Sequence, residues 1–154
     1  MQSTEELTGK TSRALITGGA GFIGSHVAEV FVKRGYEVLI LDDLSTGNTT
    51  NLHPSCRLLE GDVRDSASVD NAIQGADIVI HLAAFTSVPE SFERVRDCYD
   101  VNVAGTYNVL QACAHNGVKQ LVFASSSAVY AEFPDLLKAE IDCPDPVSPY
   151  AVSK

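Results

Sequence analysis

Positive charge is scarce in this sequence: 11 lysines and arginines stand against 20 aspartates and glutamates, a formal net charge of −9. That balance argues against nucleic acid or an anionic membrane surface as a general partner. An anionic ligand would have to be held by local donors. Cysteine is also sparse. Cys56, Cys98, Cys113 and Cys143 do not have the spacing of a metal site, and no metal is expected. No secretory signal is recognisable at Met1–Ser12, so the expectation is reduced, structural thiols in a cytoplasmic protein. No apolar run approaches membrane-spanning length, and no membrane partner is expected. Solenoid-type repeats, linkers and low-complexity segments are missing as well.

What is present begins at Thr17-Gly18-Gly19-Ala20-Gly21-Phe22-Ile23-Gly24. The segment follows the apolar run Ala14-Leu15-Ile16 and opens an amphipathic stretch. A strand, a glycine-rich turn and a helix start cradle a dinucleotide pyrophosphate. Gly18 permits the tight turn, Gly21 lets the backbone approach phosphate, and Gly24 lets the helix pack closely. The helix N-terminus offers free N–H groups and partial positive charge. Alone, such a turn is equally consistent with a flexible loop. The following residues favour the nucleotide reading. Ile23, Val27, Val30 and Phe31 fall on one helical face. Lys33 and Arg34 fill the last turn and Gly35 stops it. Glu37 to Leu41 then reads as a buried parallel strand ending at Asp42-Asp43. Asp42 lies 42 − 24 = 18 residues past Gly24, close to the roughly 20 expected of the acid that holds the adenosine ribose hydroxyls. A carboxylate there repels a ribose 2′-phosphate, so NAD is favoured over NADP.

Strand and helix go on alternating. Arg57 to Asp62 is a third strand, and Ser66 to Gln74 a helix with Val69, Ala72 and Ile73 inward, stopped by Gly75. Asp77 to Leu82 is a fourth strand. One long helix is expected from about Ser91 or Asp97 to Asn116, with Gly117 as its stop. Val101 with Ala112 and Val103 with Leu110 form two apolar stripes on it, one for the sheet and one for a second burial surface such as a partner subunit. Gln120 to Ala124 is a fifth strand. This pattern implies an α/β, Rossmann-type doubly wound parallel sheet, strand order 3-2-1-4-5, with helices on both faces. Residues 1–12 read as a disordered tail and 13–154 as the folded domain.

The second constellation lies where the later strands end. Strand five runs into Ser125-Ser126-Ser127, and the sequence closes on Ser148-Pro149-Tyr150-Ala151-Val152-Ser153-Lys154. On a helix, Tyr150 and Lys154 share a face one turn apart. A free tyrosine, with a pKa near 10, is almost wholly protonated at neutral pH. A cation within about 4–6 Å favours the phenolate, and a serine hydroxyl on the same substrate oxygen completes a proton relay.

These pieces together resemble the N-terminal part of an extended short-chain dehydrogenase/reductase of the NAD-dependent sugar-nucleotide epimerase/dehydratase family, most like its UDP-glucose (galactose) 4-epimerase branch. The matching segments are TGGAGFIGSH (17–26), LDDLSTG (41–47), GDVRD (61–65), IHLAA (80–84), VNVAGTYNVL (101–110), ASSSAVY (124–130) and SPYAVSK (148–154). The resemblance implies NAD as cofactor. Gly18, Gly21, Phe22 and Ile23 would line the pyrophosphate. Asp42 would hold the adenosine ribose, with Asp43, Leu44, Ser45, Thr46 and Gly47 on the same side. Asp62 and Val63 would flank adenine, and Leu82, Ala83 and Ala84 would back the nicotinamide half. Asn102 would support the pocket from the long helix. Lys154 would bind the nicotinamide ribose and tune Tyr150, the base for the sugar 4-hydroxyl. Ser126 would bridge to that hydroxyl, with Ser127 the less favoured neighbour, and Thr86 would face the nucleotide-sugar substrate. His81 reads as a packed strand-end residue rather than a catalyst.

Departures from the family pattern carry meaning. Ser126-Ser127 stands where the 4,6-dehydratase branch has an acid pair after a threonine, which disfavours elimination. Ala131 follows Tyr130 where many relatives have glycine, and position 43 is Asp where many epimerases have Asn. The family chain is about twice as long, so the expectation is a cofactor-binding part without its substrate domain, inactive in isolation, and a homodimer or self-associating species. A non-catalytic NAD-binding module and a reductase or dehydratase relative remain as alternatives.

Overall fold

The computed structural model describes residues 11–130 and 138–154. Most of the expected tail and the Ala131 position lie outside the described residues. Among the described residues there are five strands: β1 (Arg13–Thr17), β2 (Glu37–Asp42), β3 (Arg57–Glu60), β4 (Ile78–His81) and β5 (Gln120–Phe123). All adjacent pairs are parallel, in the order β3-β2-β1-β4-β5. The third, fourth and fifth strands are shorter than the apolar runs suggested, because their last residues peel off toward the cavity described below.

Alternation along the strands feeds two cores. Leu15, Leu39, Leu41 and Val79 face one side and pack with Val69, Ala72 and Ile73 of α2 (Ser66–Ile73) and Val109, Ala112 and Cys113 of α5 (Thr106–Asn116). Ile16, Val38, Ile40 and Ile80 face the other side and pack on Ala28, Val27 and Phe31 of α1 (Phe22–Lys33). Helices therefore cover both faces. Within α1 the apolar stripe is shifted from expectation: Gly24, Ser25 and Ala28 are buried, while Ile23 and Val30 are exposed. Close approach of the helix start to the glycine turn selects the small residues for the inner face and rotates Ile23 outward.

The single long helix expected after β4 is instead several pieces: α3 (Val88–Glu93), α4 (Val95–Tyr99), a turn of π-helix (Asp100–Gly105) and then α5. Ser87 caps α3 by accepting from Glu90 N–H, with Pro89 in its first turn. The chain bends at Arg94 (φ −120°, ψ 49°). In the π-turn the Thr106 hydroxyl donates to the Asn102 carbonyl at 2.6 Å. The Asn102 side chain is clamped to Phe85, accepting from its N–H at 2.8 Å and donating to its carbonyl at 3.1 Å. Side chains that bond backbone in this way compete with regular helix. Gly105 brings the turn against Val63, whose Cγ2 would lie 2.6 Å from an added Cβ. The two stripes separate as expected, with Ala112 buried and Val101 packed on the core. Val103, Tyr107 and Leu110 are exposed. Three helix ends, after α1, α2 and α5, are closed by Gly35, Gly75 and Gly117, all at positive φ. A last short helix, α6 (Pro149–Val152), is capped by Ser148.

Candidate functional site

Parallel strands put all five carboxyl ends on one rim, and a cavity of about 390 Å³ opens there. This is where an open α/β sheet takes its ligand. The glycine turn forms its near wall. Gly18 has φ +68°, and a Cβ on it would lie 2.7 Å from Ala83 N. A Cβ on Gly24 would strike the Gly18 carbonyl, so this glycine seats the helix on the turn itself rather than on the strand. A Cβ on Gly21 would meet only Gly18 O at 3.3 Å. The first intrahelical bond runs from Ser25 N–H to Gly21 O. The N–H groups of Phe22, Ile23 and Gly24 therefore precede it, as at any helix start. The Phe22 and Ile23 side chains stand exposed on the rim. This wall has the donors and the clearance that a pyrophosphate requires.

The next wall is acidic. Asp42 is 7% exposed, and its two oxygens accept from Ala20 N–H and Leu44 N–H, each at 2.9 Å. Gly47 leaves room for it: a Cβ there would sit 2.8 Å from Asp42 Oδ1. Leu44 takes a left-handed conformation (φ 57°) to present its N–H. Asp43 Oδ1 accepts from Ser45 N–H and Oγ–H. Asp42, Asp43 and Thr46 line the cavity; Leu44, Ser45 and Gly47 shape the loop behind them. Asp62 and Val63 form the far end. The Arg64 guanidinium bonds Asp62 through Nε at 2.8 Å and holds its carboxyl below the ordinary range.

The floor is Leu82, Ala83 and Ala84, with Thr86 beside them. Tyr150 and Lys154 close the opposite side of the same cavity. Pro149 and the Ser148 cap start α6, and Tyr150 N–H donates to Ser91 Oγ at 3.2 Å. The Lys154 ammonium lies 4.6 Å from the centre of the Phe123 ring, and burial lowers its pKa. Ser126 stands just beyond the lining residues. Its Oγ accepts from Ala128 N–H and caps the short 3-10 turn Ser127–Val129. Asn102 is buried behind the cavity rather than on its surface.

Some participants were not anticipated. Ser125 lines the cavity and donates to the Lys154 carbonyl at 3.0 Å. Its place two residues past β5 and one before Ser126 was the available signal. Thr17, Thr106 and Ser153 have no local signature, because the side chains that tie them together, His81 and Asn102, are distant in sequence. His81 is 1% exposed and hydrogen-bonded at both ring nitrogens, to Thr17 and Thr106. Burial, and secondarily the Lys154 ammonium, push its pKa down to about 4. Among the described residues no group of three or more His, Cys, Asp or Glu side chains is placed to hold a metal ion. No helix there is long and apolar enough to cross a membrane.

Comparison with known proteins agrees with this geometry. The family described as "NAD dependent epimerase/dehydratase family" matches residues 14–154. A putative UDP-glucose 4-epimerase of Methanocaldococcus jannaschii is 42% identical over 144 residues, which cover 91% of this chain and 47% of the relative. The UDP-glucose 4-epimerase of Lactobacillus helveticus is 40% identical, covering 92% and 44%. Among solved structures, the Thermus thermophilus UDP-glucose 4-epimerase in complex with NAD superposes with a TM-score of 0.86 at 43% identity, over 92% of this chain and 47% of that one. A UDP-N-acetylglucosamine 4-epimerase from Methanobrevibacter ruminantium in complex with UDP-N-acetylmuramic acid gives 0.85 at 35%, over 94% and 47%. The chain spans about half the length of the relatives it matches. Glycine turn, acidic strand end and Tyr150–Lys154 pair occur here in one cavity, and the chain belongs to the NAD dependent epimerase/dehydratase family.

Proposed function

We propose that residues 13–154 are the NAD-binding domain of a sugar-nucleotide 4-epimerase of the UDP-glucose type. The observation that carries this reading is that Tyr150 and Lys154 line the same cavity as the glycine turn and Asp42. The glycine turn would receive the pyrophosphate, Asp42 the adenosine ribose and Asp62 the adenine end. Two carboxylates at the ribose favour NAD over NADP by charge alone. When bound, NAD would supply the two-electron acceptor for the C4 hydride, the proton being handled by Tyr150.

The residues of this chain do the rest. Tyr150 takes the proton of the sugar 4-hydroxyl and gives it back. Lys154 puts a positive charge on the same cavity as Tyr150 and would bind the nicotinamide ribose. Ser126, whose oxygen accepts from Ala128 N–H, keeps its hydroxyl proton to donate to the substrate oxygen. Thr86 faces the sugar. The domain would work in a reducing, cytoplasmic setting. Exposed Val103, Tyr107 and Leu110 support a homodimer or other self-association. The 154-residue chain by itself is expected to bind NAD without turnover, since it spans about half the length of the relatives it matches.

Titration of the purified chain with NAD and NADP is the direct test, with tighter NADP binding refuting the cofactor reading. For the reaction, the chain would be joined to the C-terminal half of a relative and assayed for interconversion of UDP-galactose and UDP-glucose. Loss of turnover in Tyr150→Phe is expected. NAD binding with no turnover in any such assembly would make the domain a non-catalytic module.

A further inference from the structure

A chain of hydrogen bonds runs behind the cavity from its floor to the Tyr150 segment, and His81 is its centre. Leu82 N–H and Ala83 N–H, on the floor, donate to Thr17 Oγ1 at 3.2 and 3.1 Å. Thr17 Oγ1 lies 2.6 Å from His81 Nδ1. His81 Nε2 lies 2.9 Å from Thr106 Oγ1, whose proton goes to the Asn102 carbonyl at 2.6 Å. The Asn102 side-chain amide donates to Ser153 Oγ at 2.8 Å, and Ser153 Oγ donates to the Tyr150 carbonyl at 2.7 Å.

The proton inventory permits one arrangement. Thr106 has spent its only proton on Asn102, so His81 Nε2 must be the donor in that contact. With Nε2 carrying the proton of the neutral ring, Nδ1 is an acceptor; Thr17 Oγ1 accepts from Ala83 N–H, shares Leu82 N–H with the Thr17 carbonyl, and donates its own proton to Nδ1. The Thr106 end therefore sets the neutral tautomer, and the Thr17 hydroxyl is placed to complete it. A second route leads from the same ring to Lys154. The Phe123 ring lies 5.8 Å from the imidazole, tilted by 32°, and carries the Lys154 ammonium. Of the groups around the ring, Thr17, Thr106 and Phe123 are uncharged. Lys154 is the charged group that faces it, and it opposes an imidazolium.

We infer that His81 is a positioning residue, locked as the Nε2–H tautomer, that sets the segment bearing Tyr150 and Lys154 against the floor of the cavity. The inference rests on the function proposed above for the roles of those two residues. It explains why a strand-end histidine is bonded at both nitrogens while reaching no cavity surface.

The test is NMR on the 15N-labelled chain, with NAD titrations alongside. The His81 ring should show a protonated Nε2 and a bare Nδ1 from pH 8 down to about 5. Thr106→Val removes the Nε2 partner, and Thr106→Ser keeps it. The valine variant should move the amide signals of Tyr150 to Lys154 and weaken NAD binding roughly five- to tenfold, the size of one lost hydrogen bond. The serine variant should restore both. Should the valine variant fail to fold, Ser153→Ala cuts the same chain at its far end and should move the same signals. A protonated Nδ1 at neutral pH overturns the inference. So do cut variants that melt earlier yet keep wild-type Tyr150–Lys154 signals and NAD affinity. If the wild-type chain binds no NAD, the proposed function falls, while the ring tautomer and the amide signals still decide the role of His81.

Discussion

Single residues in this site are held by backbone, and substitutions there should act on shape and chemistry together. Asp42 is both a ribose acceptor in the proposed complex and the anchor for Ala20 and Leu44 N–H. Hydrogen bonds to a charged acceptor are worth roughly 1.5–3 kcal/mol each. Asp42→Ala should therefore weaken NAD at least tenfold and narrow the preference over NADP, read by parallel titrations. Gly18 and Gly35 form a controlled pair. Both have positive φ, but a Cβ on Gly35 meets nothing within 4 Å, whereas one on Gly18 runs into Ala83. Alanine at either costs about 1–2 kcal/mol for the left-handed backbone. Gly18→Ala should lower the Tm further and abolish NAD binding, while Gly35→Ala should leave affinity intact. His81 adds a pH signature. Its folded pKa of about 4 lies below the ordinary 6.5, so between these values the unfolded chain binds the extra proton. Stability is then full above pH 6.5 and falls as pH drops toward 4, by up to about 1.4 kcal/mol per unit from this group. Denaturant melts of wild type and His81→Asn at pH 7 and 5 should show a smaller acid loss in the variant.

Elements differed in how far the sequence revealed them. The five strands, their order and the helix stops at Gly35, Gly75 and Gly117 were legible, because alternation, apolar runs and glycine punctuation are local signals. So were the glycine turn and Asp42. The break at Arg94 and the π-turn were hidden. They depend on Asn102 clamping Phe85 and on Thr106 taking the Asn102 carbonyl, and neither bond has a periodic trace. The outward rotation of Ile23 was hidden too, since it follows from contact between α1 and the glycine turn. Thr17 and His81 are 64 positions apart, and only the pairing of β1 with β4 brings them together. Along the π-turn and α5, the exposed stripe of Val103, Tyr107 and Leu110 yields a prediction. Leu110→Glu should reduce any self-association seen by sedimentation without altering the far-UV spectrum or NAD affinity.

The whole molecule carries a net charge of −9, yet the ligand proposed for its cavity is an anion. Local N–H donors must overcome a repulsive far field, so salt should act on two properties in the same direction. Screening over a Debye length of about 10 Å at 0.1 M should speed NAD association and also favour contact between exposed apolar stripes. Stopped-flow and light scattering between low and moderate salt would show both; a salt-induced loss of NAD affinity would contradict the donor-based account.

The glycine-ended turns after α1, α2 and α5 lead into β2, toward β4 and into β5, at the amino ends of the strands. They lie on the edge of the sheet opposite the cavity. Gly35 and Gly117 have open space around them. This edge is a grafting surface. A flexible reporter peptide spliced in beside Gly35 or Gly117 should be carried without disturbing the ligand, as surface loops with exposed tips generally permit. The same splice at Gly47, wedged between Ala20 and Asp42, should extinguish binding. A set of such insertions, scored by expression and by NAD titration, would map the division of labour between the two ends of the sheet.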